Sequence, residues 1–176
     1  MKTIAFTLAA ALALAAPALA QTVPAPDTSP SAADQAVIKY MIADSIGEIQ
    51  LCNLALAKSQ TPAIRTFAHR MIADHRQNLA AASALAKSTS VPDVKMQPSE
   101  EAQIAYAHLS KYSGKMFDEN FLQQNRSDHM ADIENVRHAM EAAQSSAVSR
   151  FEQRTLSMLE QHLKLVESTN DAIAKS

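Results

Sequence analysis

The chain has 176 residues, with 16 basic and 18 acidic side chains. That near-balance gives no electrostatic ground for expecting nucleic acid or an anionic lipid surface as a partner. Cys52 is the single cysteine, so an intrachain disulfide is excluded, and the length fits one domain.

Residues 1–20 read as a secretory signal peptide. Lys2 supplies a basic start, residues 4–16 are apolar, and Ala18-Leu19-Ala20 offers a small-x-small cleavage site before Gln21. Cleavage after Ala20 would leave 156 residues, periplasmic or secreted, with no transmembrane segment. Because Lys2 leaves with the signal, 15 basic and 18 acidic side chains remain, a formal charge of −3. No Cys follows the site to carry a lipid anchor. Pro24, Pro26 and Pro30 then mark residues 21–33 as a flexible Pro-rich tail.

From Asp34 onward the pattern is helical, with two glycines in the whole chain and no period-two alternation. Helix 1 is predicted from about Ser31 or Asp34 to Ser59, burying Ile38, Ile42, Ile49, Cys52 and Leu56. Thr61-Pro62 signals a restart, with Thr as N-cap and Pro at the first helical position. Helix 2 then runs to about Lys87, with Ile64, Phe67, Met71, Ile72, Leu79 and Leu85 inward. A loop around Pro92 leads to a short helix opening at Pro98-Ser99-Glu100 and ending near Tyr112. Helix 3 is predicted over about 115–143, burying Phe117, Phe121, Leu122, Ile133, Val136 and Met140. Ser145-Ser146 makes a tight connection to helix 4, which runs to about Ala172 with Val148, Phe151, Leu159, Leu163 and Val166 inward. Four long amphipathic helices with short connections predict an all-α antiparallel four-helix bundle over 34–172, with one short extra helix between helices 2 and 3. Met41, Met71, Met130, Met140 and Met158 lie on or near the apolar stripes and read as adaptable core filling.

Each long helix carries one ionisable group on or beside its apolar stripe: Glu48, His75, His129 and His162. A buried ionisable group must be paired, hydrogen-bonded or metal-bound, because leaving it bare costs several kcal/mol, roughly. The Thr61-Pro62 turn lies midway between Glu48 and His75, about 13 residues or roughly 20 Å from each. The Ser145-Ser146 turn lies midway between His129 and His162, about 16 residues or roughly 25 Å from each. Each hairpin therefore brings its own pair to one level. Imidazole and carboxylate donors suit one Zn, Fe, Mn or Cu ion, so these four residues are the candidate metal ligands. They could equally bond one another, Asp44, Tyr40, Asp132 or water and only fix packing. His69, His108 and His138 lie off the stripes and read as surface residues. Asp74 and Asp128, beside His75 and His129, are expected to face solvent or a neighbouring helix, with an outer role toward the histidines as the alternative.

Several segments carry a resemblance: Gly47-Glu48-Ile49, Phe67-Ala68-His69-Arg70-Met71-Ile72-Ala73-Asp74-His75, Gly114-Lys115-Met116-Phe117-Asp118 with Phe121, His129, and Leu159-Glu160-Gln161-His162-Leu163. In order and spacing they resemble the exported bacterial proteins grouped as domain of unknown function 4142, placed among ferritin-like bundles. The resemblance covers about residues 34–170. Ferritin-like kinship invites a di-iron centre, but the sequence has no Glu-x-x-His, and one Glu with three His is too poor in carboxylate for two bridged irons.

The functional expectation is an exported, soluble helical bundle binding a single transition metal in its core, for metal handling or envelope stress. The alternative is a non-enzymatic structural or interaction protein whose Glu/His cluster only fixes packing. No Gly-x-Ser-x-Gly, phosphate loop or reactive Cys context marks a reaction.

Overall fold

The computed structural model describes residues 30–175; the expected signal peptide and residues 21–29 of the expected tail lie outside the described residues. Those residues form five helices and no strand: α1 (Ala32–Lys58), α2 (Pro62–Ser88), α3 (Glu100–Leu109), α4 (Gly114–Ala142) and α5 (Ser146–Ala174). Helix α1 packs against α2 and α4, and α5 packs against the same two, so the four long helices close a ring. The short α3 lies on α1 and α4.

Local chemistry sets the helix ends. Ser31 accepts from the Asp34 backbone N–H at 3.1 Å while Asp34 accepts from the Ser31 N–H at 2.9 Å, a reciprocal capping box. The same Asp34 carboxylate accepts from the backbone N–H groups of Gln144 and Ser145, tying the α4–α5 connection to the start of α1. Pro62 opens α2 as the sequence predicts, but Thr61 makes no side-chain cap. Its hydroxyl donates instead to Asp118 of α4, so a long-range bond takes the group that a local cap would have used. Ser99 caps α3, accepting from the Ala102 N–H at 3.1 Å. Lys58 Nζ donates to the carbonyls of Ser110 and Tyr112, satisfying acceptors that the end of α3 leaves over.

The apolar core falls into two clusters. One gathers Leu51, Cys52, Ile64, Phe67, Met71, Leu109, Phe117, Phe121 and Val166. The other gathers Ile38, Met41, Ile42, Ala82, Ile133, Val136, Val148, Phe151 and Leu159. Each long helix crosses from one cluster to the other, and at the crossing it buries polar residues. These are Ser45 and Glu48 on α1, His75 and Asn78 on α2, Asn125, His129 and Asp132 on α4, and His162 on α5, with Thr155 bonded to Asn78 from the edge of the second cluster. A buried polar layer thus divides the core. It must satisfy its own groups, because water is excluded from both sides.

Gly47 fixes where α3 sits. A Cβ at this position would lie 2.5 Å from Ala102 Cβ, so α3 approaches α1 only because residue 47 has no side chain. Among the described residues no helix is long and apolar enough to cross a membrane. Met130, read from the sequence as near the core stripe, is 48% exposed; it follows the buried His129 and is turned outward by the helical step.

Candidate metal centre

Helices α2, α4 and α5 each contribute one imidazole to the polar layer. His75, His129 and His162 are essentially removed from solvent, and each brings one ring nitrogen to within 4.8 Å of the others. Their ring centroids stand 5.1 to 5.8 Å apart. Glu48 is buried on the same layer, but it is not part of this group.

The outer contacts assign the tautomers. His129 Nδ1 lies 2.8 Å from the carbonyl oxygen of Asn125, an acceptor only, so Nδ1 carries the proton and Nε2 presents a lone pair. His162 Nε2 lies 3.0 Å from Asp74 Oδ2, also an acceptor only, so Nε2 carries the proton and Nδ1 presents a lone pair. These two lone-pair nitrogens face each other at 3.1 Å. They need a positive charge between them, either a proton or a metal ion. Neither ring nitrogen of His75 has a hydrogen-bond partner; Nδ1 is 3.9 Å from Asp44 Oδ2.

Electrostatics oppose the proton. Burial holds His129 down at about 4, with His162 adding to the shift and the Asn125 carbonyl resisting it. His75 is driven well below the usual histidine value by burial and then by the other two imidazoles. His162 is lowered by burial, against which Asp74 acts. The three rings are therefore neutral near pH 7, the form in which imidazole binds metals. A tetrahedral ion with bonds of about 2.0–2.1 Å would set ligand nitrogens about 3.4 Å apart, close to the spacing of the facing pair.

Glu48 keeps different company. Its carboxyl is raised well above the ordinary glutamate value by burial and then by Asp128 and Asp132. Asp44 is raised likewise, by burial and then by Asp132 and Glu48. Asp132 is pushed to about 6, chiefly by burial, although the Tyr40 hydroxyl donates to its Oδ1. Glu48, Asp44, Asp128 and Asp132 line one cavity between α1 and α4, beside the imidazoles.

Two contacts of the candidate site come from residues given little weight in the sequence. Asp74 reaches across from α2 to orient His162 on α5, and Arg70 holds Asp74 from one turn away at 2.6 Å. Asp128 turns toward α1 and the carboxylate cavity. The repeated Asp-His pair was the available signal. When a histidine points to the centre of a bundle, its predecessor, about 100° round the helix, points toward an adjacent helix. His69, His108 and His138 are exposed, as expected. Cys52 is free and buried among apolar groups, with its thiol pushed up chiefly by burial.

The fold has a solved counterpart. The crystal structure of a DUF305 fragment from Deinococcus radiodurans matches with a TM-score of 0.71 at 15% identity, covering 80% of this chain and 96% of that one. No curated protein matches. The family model described as Domain of unknown function (DUF4142) matches residues 19–169, and the chain belongs to that family.

Proposed function

We propose that this protein is an exported antiparallel four-helix bundle, with α3 as a short addition, that binds one transition-metal ion through His75, His129 and His162 and serves metal handling in the cell envelope. The short connections at 59–61 and 143–145 and the closed ring of helix contacts support the bundle. The signal-like segment over 1–20 supports a periplasmic or secreted location.

One observation carries the metal reading: the bare nitrogens of His129 and His162 face each other in a buried layer, with their tautomers locked from behind. A ligating histidine usually has its second nitrogen held by a carbonyl or carboxylate, and both arrangements occur here. An all-imidazole donor set favours Zn, Cu or Fe over Mn, which prefers oxygen. Three protein ligands leave a fourth position for water or another small ligand. Glu48, the fourth residue singled out in the sequence, belongs in our reading to the carboxylate cavity alongside.

The test is metal analysis of tag-free protein after reconstitution with Zn, Cu, Fe and Mn separately. We expect about one equivalent of Zn, Cu or Fe, lost in His129→Gln; retention below about 0.1 equivalent of each of Zn, Cu and Fe would sink the reading, whatever is found for Mn. A packing role has its own support in the buried chain where Thr155 donates to Asn78 and Asn78 donates to Ser45. Under that reading His75→Gln and His129→Gln would change stability alone.

A further inference from the structure

The cavity beside the imidazoles has a chemistry of its own. It encloses about 450 Å³ between α1, α3 and α4. Asp44 and Glu48 enter it from α1, four residues apart and so one above the other on a single face. Asp128 and Asp132 enter it from α4 with the same spacing. Tyr40 and Asn135 complete the polar wall, and Glu101 of α3 stands at its edge. No Lys, Arg or His is among its lining residues.

Asp44 and Asp132 share a side-chain hydrogen bond, and Asp128 accepts from the Gln124 amide at 2.9 and 3.0 Å; Glu48 is the exception. Glu48 is 3% exposed, and its Oε2 has no hydrogen-bond partner. Asp132, equally buried, accepts from the Tyr40 hydroxyl and from the protonated carboxyl of Asp44. Four carboxylates that repel one another, one of them buried with a bare oxygen, need a counter-cation or must give up part of their charge, as Asp44 does in donating to Asp132.

We propose that this cavity binds one hydrated hard divalent cation of the magnesium or manganese class, held by Asp44, Glu48, Asp128 and Asp132. The donors are oxygen alone, which selects hard ions. Among the described residues the imidazoles are the group whose ligand atoms already close round a point. Asp44 and Asp132 touch, but no three of the carboxylates close round a point in a roomy cavity. That suits an ion which keeps much of its water and uses one or two carboxylates directly, with the others reached through water. The site does not depend on the three-histidine reading, since no histidine lines it. The two centres are neighbours, because Asp44 Oδ2 is 3.9 Å from His75 Nδ1.

The full chain, stripped with chelator and then given one equivalent of Zn to occupy the imidazoles, is titrated with Mn(II), and the resonance of free aqueous Mn(II) is followed. About one Mn(II) per chain should be taken up and displaced by excess Mg(II). Asp128→Asn with Asp132→Asn should weaken uptake at least about tenfold, since affinity follows the number of charged ligands. If circular dichroism shows that this double variant does not fold, Glu48→Gln carries the same expectation of weakened uptake. No uptake by the native chain up to about 1 mM Mn(II), a range that includes weak carboxylate sites, would overturn the proposal. Undiminished uptake by the folded carboxylate variants would do the same. So would uptake abolished by His129→Gln alone, which would give the ion to the imidazoles. Failure of Zn to bind while Mn(II) still binds would count against the histidine centre only.

Discussion

His162 Nδ1 faces His129 Nε2 at 3.1 Å with no proton assigned to either, and Asp74 is the residue that makes this so. The carboxylate can only accept, so it keeps the His162 proton on the far nitrogen. Asp74→Asn changes that rule, because an amide can donate. His162 can then move its proton to Nδ1 and form a true hydrogen bond to His129. The expected outcome is a metal-free protein at least as stable as the native one, with metal affinity reduced about 10- to 100-fold. Competition against a chromophoric chelator measures the affinity, and nitrogen NMR of the ring measures the tautomer. Unchanged affinity alongside a changed tautomer would show that Asp74 does not act through His162.

Acid should act on the imidazoles with a defined sign. His129 is held near 4 in the folded protein, against 6.5 for an unperturbed histidine. Between these values the unfolded chain takes up the proton first, so the contribution of His129 is present above pH 6.5 and lost as the pH falls toward 4. Asp132 works in the opposite direction, since its folded value of about 6 exceeds the usual 3.8 and its protonation favours the native state over that range. The clean quantity is the stability of native protein minus that of His129→Gln, both metal-free. It should shrink by up to about 3 kcal/mol between pH 6.5 and 4, from the size of the His129 shift. Urea melts across that range measure it, and a flat difference would contradict the assignment.

Glu48 makes the complementary case. Its folded value lies well above the ordinary 4.5, so its ionised form destabilises the metal-free protein above that pH. Glu48→Gln should raise stability at pH 7, and the gain should disappear as the pH falls below the ordinary glutamate value. Saturating Mn(II) should reverse the order, stabilising the native protein more than the variant. Thermal melts of both proteins with and without Mn(II), at pH 7 and pH 4, give the four differences needed.

Much of this site was legible because the helical rise is constant. Counting outward from the Thr61-Pro62 and Ser145-Ser146 turns levels each hairpin's pair, and the three histidines do meet in one layer. Rotation about the helix axis is harder to read than height along it. Glu48 shares the depth of the imidazoles, yet its electrostatic neighbours are Asp128 and Asp132. Asp74 and Asp128, one step before buried histidines, swing toward adjacent helices rather than into solvent. Thr61 looked like a cap by local rules, but Asp118 is 57 positions away and claims its hydroxyl. Pairwise contacts of that kind depend on which helix lies alongside, and apolar periodicity carries no record of it.

The covering of the carboxylate cavity depends on a single missing side chain. Ser99, the cap of α3, and Glu101 and Ala102 within it line its outer side, and Ala102 rests where a Cβ on residue 47 would be. Gly47→Ala puts two carbons 2.5 Å apart, closer than packing allows, so α3 must shift or lift. The helix-forming advantage of Ala over Gly, about 1 kcal/mol, works the other way. We expect the steric term to win, with a net loss of about 1–2 kcal/mol and faster amide exchange confined to residues 100–109. Adding Ala102→Gly removes the clashing carbon, and the double variant should recover most of the loss apart from the cost of Gly inside α3. A coupling near zero between the two substitutions would mean that α3 is not held against α1 at this contact. If the cavity also needs its cover, Gly47→Ala should speed Mn(II) release, and Ala102→Gly in the same chain should slow it again.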